Sequence, residues 1–189
     1  RVRAIAIADI DRLQNAHREW WRGFWTHSYV ELGNKTIEKQ FYGSLYLLGS
    51  CMRAGEYAPG LYAGWVMKNP AWGGEAPINY NYEAPYYCTV PTNHAELAEN
   101  YEKLLLDWVP NAEENARKHG YSGVYFEAYP GPLPRGSVFS ACNWTGIDDL
   151  GRDCFMNQKS NAALAASPMI LRYYYTRDAE YAAKVYDSF

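Results

Sequence analysis

Two asparagines in alternate positions, Asn79 and Asn81, are the residues of this chain whose types and spacing could do chemistry. Glu83 continues the alternation, so in an extended backbone all three side chains would point to the same side. A pair of carboxamides is costly in an aromatic setting unless it holds something polar, such as water or a sugar hydroxyl. The alternative is an Asn-rich loop whose side chains bond the local backbone. The pair is therefore a candidate water-binding or sugar-binding site.

Aromatic residues surround this pair and make up 16% of the chain, with 18 Tyr, 7 Trp and 6 Phe. Tyr and Trp combine a large apolar face with a polar tip, which suits a wet cleft that binds sugars. A helical core rich in tyrosine would explain the same composition. The candidates for stacking on a sugar lie in or beside the asparagine segment, and they are Trp65, Trp72, Tyr86 and Tyr87.

Glycoside cleavage also needs a proton donor, usually a carboxyl group. Glu127 lies in the apolar run Val124-Tyr-Phe-Glu-Ala-Tyr129, and burial there would raise its pKa as a general acid requires. The spacing of the carboxylates does not identify an acid by itself, and a partly buried structural carboxylate is the alternative. Glu127 is thus the candidate acid that the residues alone suggest.

The composition argues against several other kinds of site. The net charge is −3 and no run of Lys or Arg occurs, which argues against a nucleic acid or an anionic membrane as partner. No apolar run approaches the ~20 residues of a membrane span. The four cysteines have no CxxC spacing and the four histidines no i, i+4 pair, so we expect no metal. No glycine-rich phosphate loop is present, and we expect no cofactor.

Apolar residues at three- and four-residue spacing predict the helices that must position these residues. Thr36 is expected to cap the second of them. Two long segments between the helices, rich in Gly, Pro, Asn and Tyr, are typical of functional loops. No set of strands and no βαβ alternation occurs, although 124–129 could form a short strand, so the fold class is all-α. The predicted helices cover 11–27, 37–53, 93–120 with a kink or break at Pro110, 158–175 with a disturbance at Pro168, and 178–186.

The segment from Trp65 to Tyr87 resembles glycoside hydrolase family 95, the inverting α-L-fucosidases and their galactosidase relatives. That family has a Trp-Gly approach, a His-x-Asn-x-Asn motif, then Gln and an aromatic pair. Here the run is Trp72-Gly-Gly-Glu-Ala-Pro-Ile-Asn-Tyr-Asn-Tyr-Glu-Ala-Pro-Tyr-Tyr87. The similarity covers most of the 189 residues. Further similar stretches are Trp25-Thr-His-Ser, Arg53-Ala-Gly, Asn93-His-Ala-Glu-Leu-Ala-Glu-Asn and Tyr173-Tyr-Tyr-Thr-Arg-Asp178.

The resemblance implies an (α/α)6 barrel with long loops over its active-site end. Residues 1–189 would then be a fragment of one catalytic domain, and the remainder of that domain would be their partner. The activity implied is hydrolysis of a terminal glycosidic bond in a glycan, with an α-L-fucoside as the candidate. The location implied is extracellular or periplasmic, and any targeting segment would lie upstream of Arg1.

The resemblance also implies roles for individual residues. Asn79 and Asn81 would hold the attacking water of an inverting mechanism, helped by an Asp beyond Phe189. The residues that would help line the sugar site are Trp72, Glu83 and Tyr87.

Two positions depart from the family pattern. The sugar-binding His of the family falls on Pro77, and the Glu expected to be the general acid falls on Leu171, followed by Arg172. Loss of that carboxyl would remove general acid catalysis, an effect of roughly 10²- to 10⁴-fold. Either another carboxyl such as Glu127 substitutes, or the linkage differs, or the protein no longer hydrolyses. The alternatives to an enzyme are a non-catalytic carbohydrate-binding relative and a helical scaffold or interaction protein.

Overall fold

The structure is a computed structural model that describes residues 8–56, 76–126, 158 and 160–186. Within these ranges the chain forms helices and turns and no strand. Two short 3₁₀-helices, Ala84–Tyr86 and Ala95–Ala98, precede the third α-helix. The α-helices are α1 (Ala8–Trp25), α2 (Lys35–Cys51), α3 (Glu99–Lys118), α4 (Asn161–Thr176) and α5 (Ala179–Tyr186).

The helices lie close to the predicted ranges, although the one predicted over 93–120 begins as a 3₁₀-helix and α4 continues through Pro168 without a break. Pro110 lies inside α3, which continues through it as one helix, so the expected break does not occur. Buried Leu105 and Ala112 on either side of Pro110 hold the helix in place although the proline nitrogen cannot donate a backbone hydrogen bond. The expected strand also does not form over 124–126, and the rest of its range lies outside the described residues.

Side-chain caps begin two of the helices. Asn34, and not Thr36 as expected, caps α2, because its Oδ1 accepts the backbone N–H groups of Thr36 at 3.0 Å and Ile37 at 3.3 Å. Asp178, the predicted first residue of the last helix, caps α5, since its Oδ1 accepts the N–H of Tyr181 at 2.9 Å. Arg177 ends α4 in a left-handed conformation with φ 52°.

The chain divides into two compact units, residues 1–44 and 45–189. In the first unit, stacked rings follow the C-terminal half of α1, with Trp21 and Trp25 centroids 5.6 Å apart. The Trp25 ring meets Tyr42 of α2 edge-on at 6.0 Å. The Tyr42 hydroxyl donates to the carbonyl of Val30 at 2.8 Å and accepts its N–H at 2.9 Å. These contacts fix the connection between α1 and α2.

The second unit is built around α3. Its apolar face is buried, since Leu97 of the preceding 3₁₀-helix and Tyr101, Leu104, Leu105 and Trp108 of α3 are all buried. None of the helices in the described ranges is long and apolar enough to cross a membrane.

Candidate active site

The two asparagines lie in a tight turn over residues 77–83, which we name the asparagine turn. The N–H of Tyr82 donates to the carbonyl of Pro77 at 3.0 Å, and the N–H of Ala84 to the carbonyl of Tyr80 at 2.9 Å. The backbone therefore folds back on itself, and the extended row expected for Asn79, Asn81 and Glu83 is wrong. Local hydrogen bonds close the turn where a strand would have needed a partner strand.

Tyr80 forms the apex of the turn, between the two asparagines. Its φ is 140°, a backbone conformation that residues other than glycine rarely adopt. The Tyr80 side chain is largely exposed, and Asn79 and Asn81 are partly exposed on either side of it. Neither carboxamide hydrogen-bonds to another residue in the part of the chain that the structure describes. The turn thus leaves two polar side chains partly exposed.

Glu83 is the last residue of the turn and is fully buried. Its Oε2 accepts the N–H of Tyr80 at 2.9 Å, while its Oε1 has no hydrogen-bond partner among the described residues. Burial raises the pKa of Glu83 from 4.5 to about 7, partly offset by hydrogen bonds from the backbone of Glu83 and Tyr80. A substantial share of this carboxyl is therefore protonated at neutral pH.

Three buried tyrosines, Tyr82, Tyr86 and Tyr101, pack together next to the turn, and we name them the aromatic floor. Tyr82 stacks on Tyr101 of α3 with ring centroids 4.9 Å apart, and Tyr86 lies 4.8 Å from Tyr101. Burial raises the pKa of Tyr82 and of Tyr101 well above the usual value, so both hydroxyls stay neutral. The Tyr101 hydroxyl donates to the carbonyl of Ala165, which ties this floor to α4.

Tyr87 is the predicted sugar-site residue that follows this floor. It is partly exposed, and burial, then the nearby charges of Glu83 and Tyr80, raise its pKa. The short segment from 77 to 87 therefore brings together Asn79, Asn81, Glu83 and Tyr87. The other site predictions, Trp72 and the candidate acid Glu127, lie outside the described residues, as does Trp65.

The two positions that depart from the family pattern are both in the described part of the chain. Pro77 is buried and supplies its carbonyl to the asparagine turn. Leu171 lies on α4 with 38% of its surface exposed, so no carboxyl occupies the position expected for the acid.

Arg172, the residue after Leu171, enters a buried polar network that the sequence analysis missed. Its Nη1 donates to both carboxylate oxygens of Glu102, each at 2.9 Å, and its guanidinium lies 4.4 Å from the Tyr181 ring centroid. The Tyr181 hydroxyl donates to Glu102 Oε1 at 2.8 Å. Burial raises the pKa of Glu102, although Arg172 and Tyr181 act in the opposite direction. One signal was available, because Arg172 follows buried Pro168 and Met169 at helical spacing and so needed a buried acid.

These features define an all-α protein in which a turn with two carboxamides rests on an aromatic core. The model of the glycosyl hydrolase family 95 catalytic domain matches residues 27–189, and the chain belongs to this family. Comparisons with curated proteins and with solved structures give no match.

Family membership confirms both the resemblance and the fold class, an all-α chain that is part of an (α/α)6 toroid. It also gives the chain a glycoside hydrolase-like function, with a glycan as the class of substrate. Helix α1 lies before the matched residues.

Proposed function

We propose that the chain belongs to the catalytic domain of an inverting glycosidase that hydrolyses a terminal glycosidic bond, with an α-L-fucoside as the candidate substrate. The observation that carries this proposal is the asparagine turn, which holds Asn79 and Asn81 on either side of Tyr80 in partly exposed positions. Each carboxamide offers one acceptor oxygen and two N–H donors. Two such groups are enough to fix both the position and the orientation of one water molecule.

An inverting glycosidase needs such a water on the face of the sugar opposite the leaving group. In this proposal the two carboxamides hold the water, and an Asp outside this chain takes its proton, as the family resemblance implies. Trp72 and Tyr87 belong to the sugar site. Because position 171 carries a leucine, the acid that protonates the leaving group is a carboxyl elsewhere in the protein, and Glu127 is the candidate.

The proposal extends to the domain and its location. Residues 1–189 are part of one catalytic domain, and the rest of that domain completes the site. An extracellular or periplasmic location rests on the family resemblance alone.

The test is hydrolysis of 4-nitrophenyl α-L-fucoside and of fucosylated oligosaccharides by the intact protein, with the anomer of the released sugar followed by proton NMR. We expect the first product to have the inverted configuration. Asn79→Ala and Asn81→Ala should each lower kcat about 100-fold, because a misplaced water reacts slowly. Asn111→Ala, at a partly exposed position on α3, is the matched control and should leave kcat unchanged. Activity that survives Asn81→Ala would overturn the role of the turn.

The position of Leu171 favours a second candidate, a carbohydrate-binding relative without catalysis. An exposed leucine at the position expected for the acid cannot protonate a leaving group. This candidate predicts no hydrolysis of any glycan in the panel, together with oligosaccharide binding that Asn81→Ala weakens in titration calorimetry. If neither hydrolysis nor binding occurs, the scaffold alternative remains.

A further inference from the structure

We propose that Glu83 is a positioning residue. Its buried carboxyl holds the asparagine turn in the conformation that Asn79 and Asn81 need, and it does not itself touch the sugar. This inference rests on the proposed function of Asn79 and Asn81 and deepens it. The family resemblance implies that Glu83 helps to line the sugar site. Here Glu83 acts instead through its hydrogen bond to the backbone of the turn.

The contact that carries the inference is the hydrogen bond from the Tyr80 N–H to Glu83 Oε2, 2.9 Å long. Tyr80 is the residue between the two asparagines, and its φ of 140° is a conformation that needs support from its surroundings. The carbonyl of Tyr80 is held at the same time by the N–H of Ala84. Both polar groups of the Tyr80 backbone are therefore bound by the segment around Glu83.

The burial of Glu83 argues against a direct contact with substrate. The side chain is 0% exposed, and its charge adds to the effect of burial in raising the pKa values of the nearby Tyr82 and Tyr101. A carboxyl with no exposed surface cannot touch a sugar unless the residues around it rearrange. It can, however, fix the orientation of the peptide units that carry Asn79 and Asn81.

The protonation of Glu83 fits this positioning role. The neutral form of a carboxyl has the shape and the acceptor oxygen of a glutamine, and burial favours that neutral form. A glutamine at position 83 should therefore support the turn as well as glutamate does. An apolar residue of the same length should fill the pocket but leave the Tyr80 N–H without its acceptor.

The test compares Glu83→Gln with Glu83→Met in the intact protein by two independent measurements. The first is the kcat and KM for hydrolysis of 4-nitrophenyl α-L-fucoside. The second is amide hydrogen exchange, followed by mass spectrometry, in peptides that cover residues 76–87. Glu113→Gln and Glu113→Met, at an exposed carboxylate on α3, are the matched controls.

We expect Glu83→Met to lower kcat about 10-fold with little change in KM, and to speed exchange at the Tyr80 amide, while Glu83→Gln keeps both properties near wild type. Equal losses of activity in both variants, with unchanged exchange, would mean that the carboxyl acts directly and would overturn the inference. Unchanged kcat and exchange in Glu83→Met would also overturn it.

The exchange measurement separates the positioning role of Glu83 from the proposed function of Asn79 and Asn81. If the wild-type protein does not hydrolyse the glycoside, the proposed function fails. Faster exchange in Glu83→Met but not in Glu83→Gln would still show that Glu83 holds the turn in place. If hydrolysis depends on Asn81 while exchange in Glu83→Met matches wild type, the function stands and the positioning role fails.

Discussion

Arg172 and Glu102 join α4 to α3 through two hydrogen bonds of 2.9 Å, both made by Nη1 of the arginine. The two side chains are 14% and 3% exposed, so the pair lies almost entirely away from water. A buried ion pair contributes little net stability, but removal of one partner leaves the other charge buried and unpaired. The effect on stability of replacing either residue of this pair should therefore depend on whether the other is present.

Glu102→Ala should lower the free energy of unfolding by about 3 kcal/mol, because Arg172 would lose both 2.9 Å hydrogen bonds and keep only the longer pair with Glu99, 3.9 Å away. The double variant Glu102→Leu/Arg172→Leu should lose less than Glu102→Ala alone. Urea unfolding of the intact protein measures both effects. Asp107→Ala, which breaks the half-exposed pair with Lys103 on the same helix, is the control and should cost less than about 1 kcal/mol. Additive losses in the double variant would contradict the coupling.

Tyr181→Phe removes only the hydroxyl that donates to Glu102 Oε1 at 2.8 Å. The ring that carries the Arg172 guanidinium at 4.4 Å remains in place. We expect a loss of about 1.5 kcal/mol, the size of a hydrogen bond to a charged group. Thermal or urea unfolding would measure it, with Tyr175→Phe at an exposed position of α4 as the control. An equal effect at both positions would argue against the hydrogen bond as the cause.

Glu83 should make the protein less stable as the pH rises from about 4.5 to about 7. Its pKa is raised in the folded state, so the folded protein binds a proton more tightly than the unfolded chain does. The stabilisation is complete below the unfolded pKa of 4.5 and is lost as the pH passes the folded pKa of about 7. The aromatic groups around it, Tyr82, Tyr87 and Tyr101, have raised pKa values and stay neutral across this window.

Glu83→Gln, which cannot ionise, should therefore match the wild type at pH 4 and exceed its stability at pH 8. The difference at pH 8 should be about 3 kcal/mol, because the folded pKa of about 7 lies above the unfolded value of 4.5. Urea unfolding at the two pH values gives this difference, and Glu113→Gln at an exposed position should show none. A wild-type protein that is more stable than Glu83→Gln at pH 8 would contradict the burial of a neutral carboxyl.

Tyr80 should tolerate glycine better than a β-branched residue, because its φ of 140° is open to glycine. We expect Tyr80→Val to be less stable than Tyr80→Gly by about 2 kcal/mol. The same pair of substitutions at Tyr121, an exposed position outside the helices, should not favour glycine in this way. Valine and glycine equally tolerated at position 80 would argue against the strained turn.

The helices could be predicted from the sequence because their signals are local. The three- and four-residue spacing of Leu97, Tyr101, Leu104 and Trp108 predicted one buried face in the helix expected over 93–120, and the structure buries all four. Asp178 could be predicted as the start of α5 because a side chain that caps a helix acts within three residues. Thr36 failed as a cap because Asn34, two residues earlier, could reach the same N–H groups.

By itself the sequence determined the all-α class, the family resemblance and the residues Asn79 and Asn81 as candidates for chemistry. Only the tertiary structure decided that these asparagines flank Tyr80 in a strained conformation and that the buried Glu83 accepts the Tyr80 N–H. It also decided that Glu102 pairs with Arg172, 70 residues away along the chain. The physical reason is that periodicity and caps depend on neighbours in sequence, whereas burial and pairing depend on which helix faces meet when the chain packs.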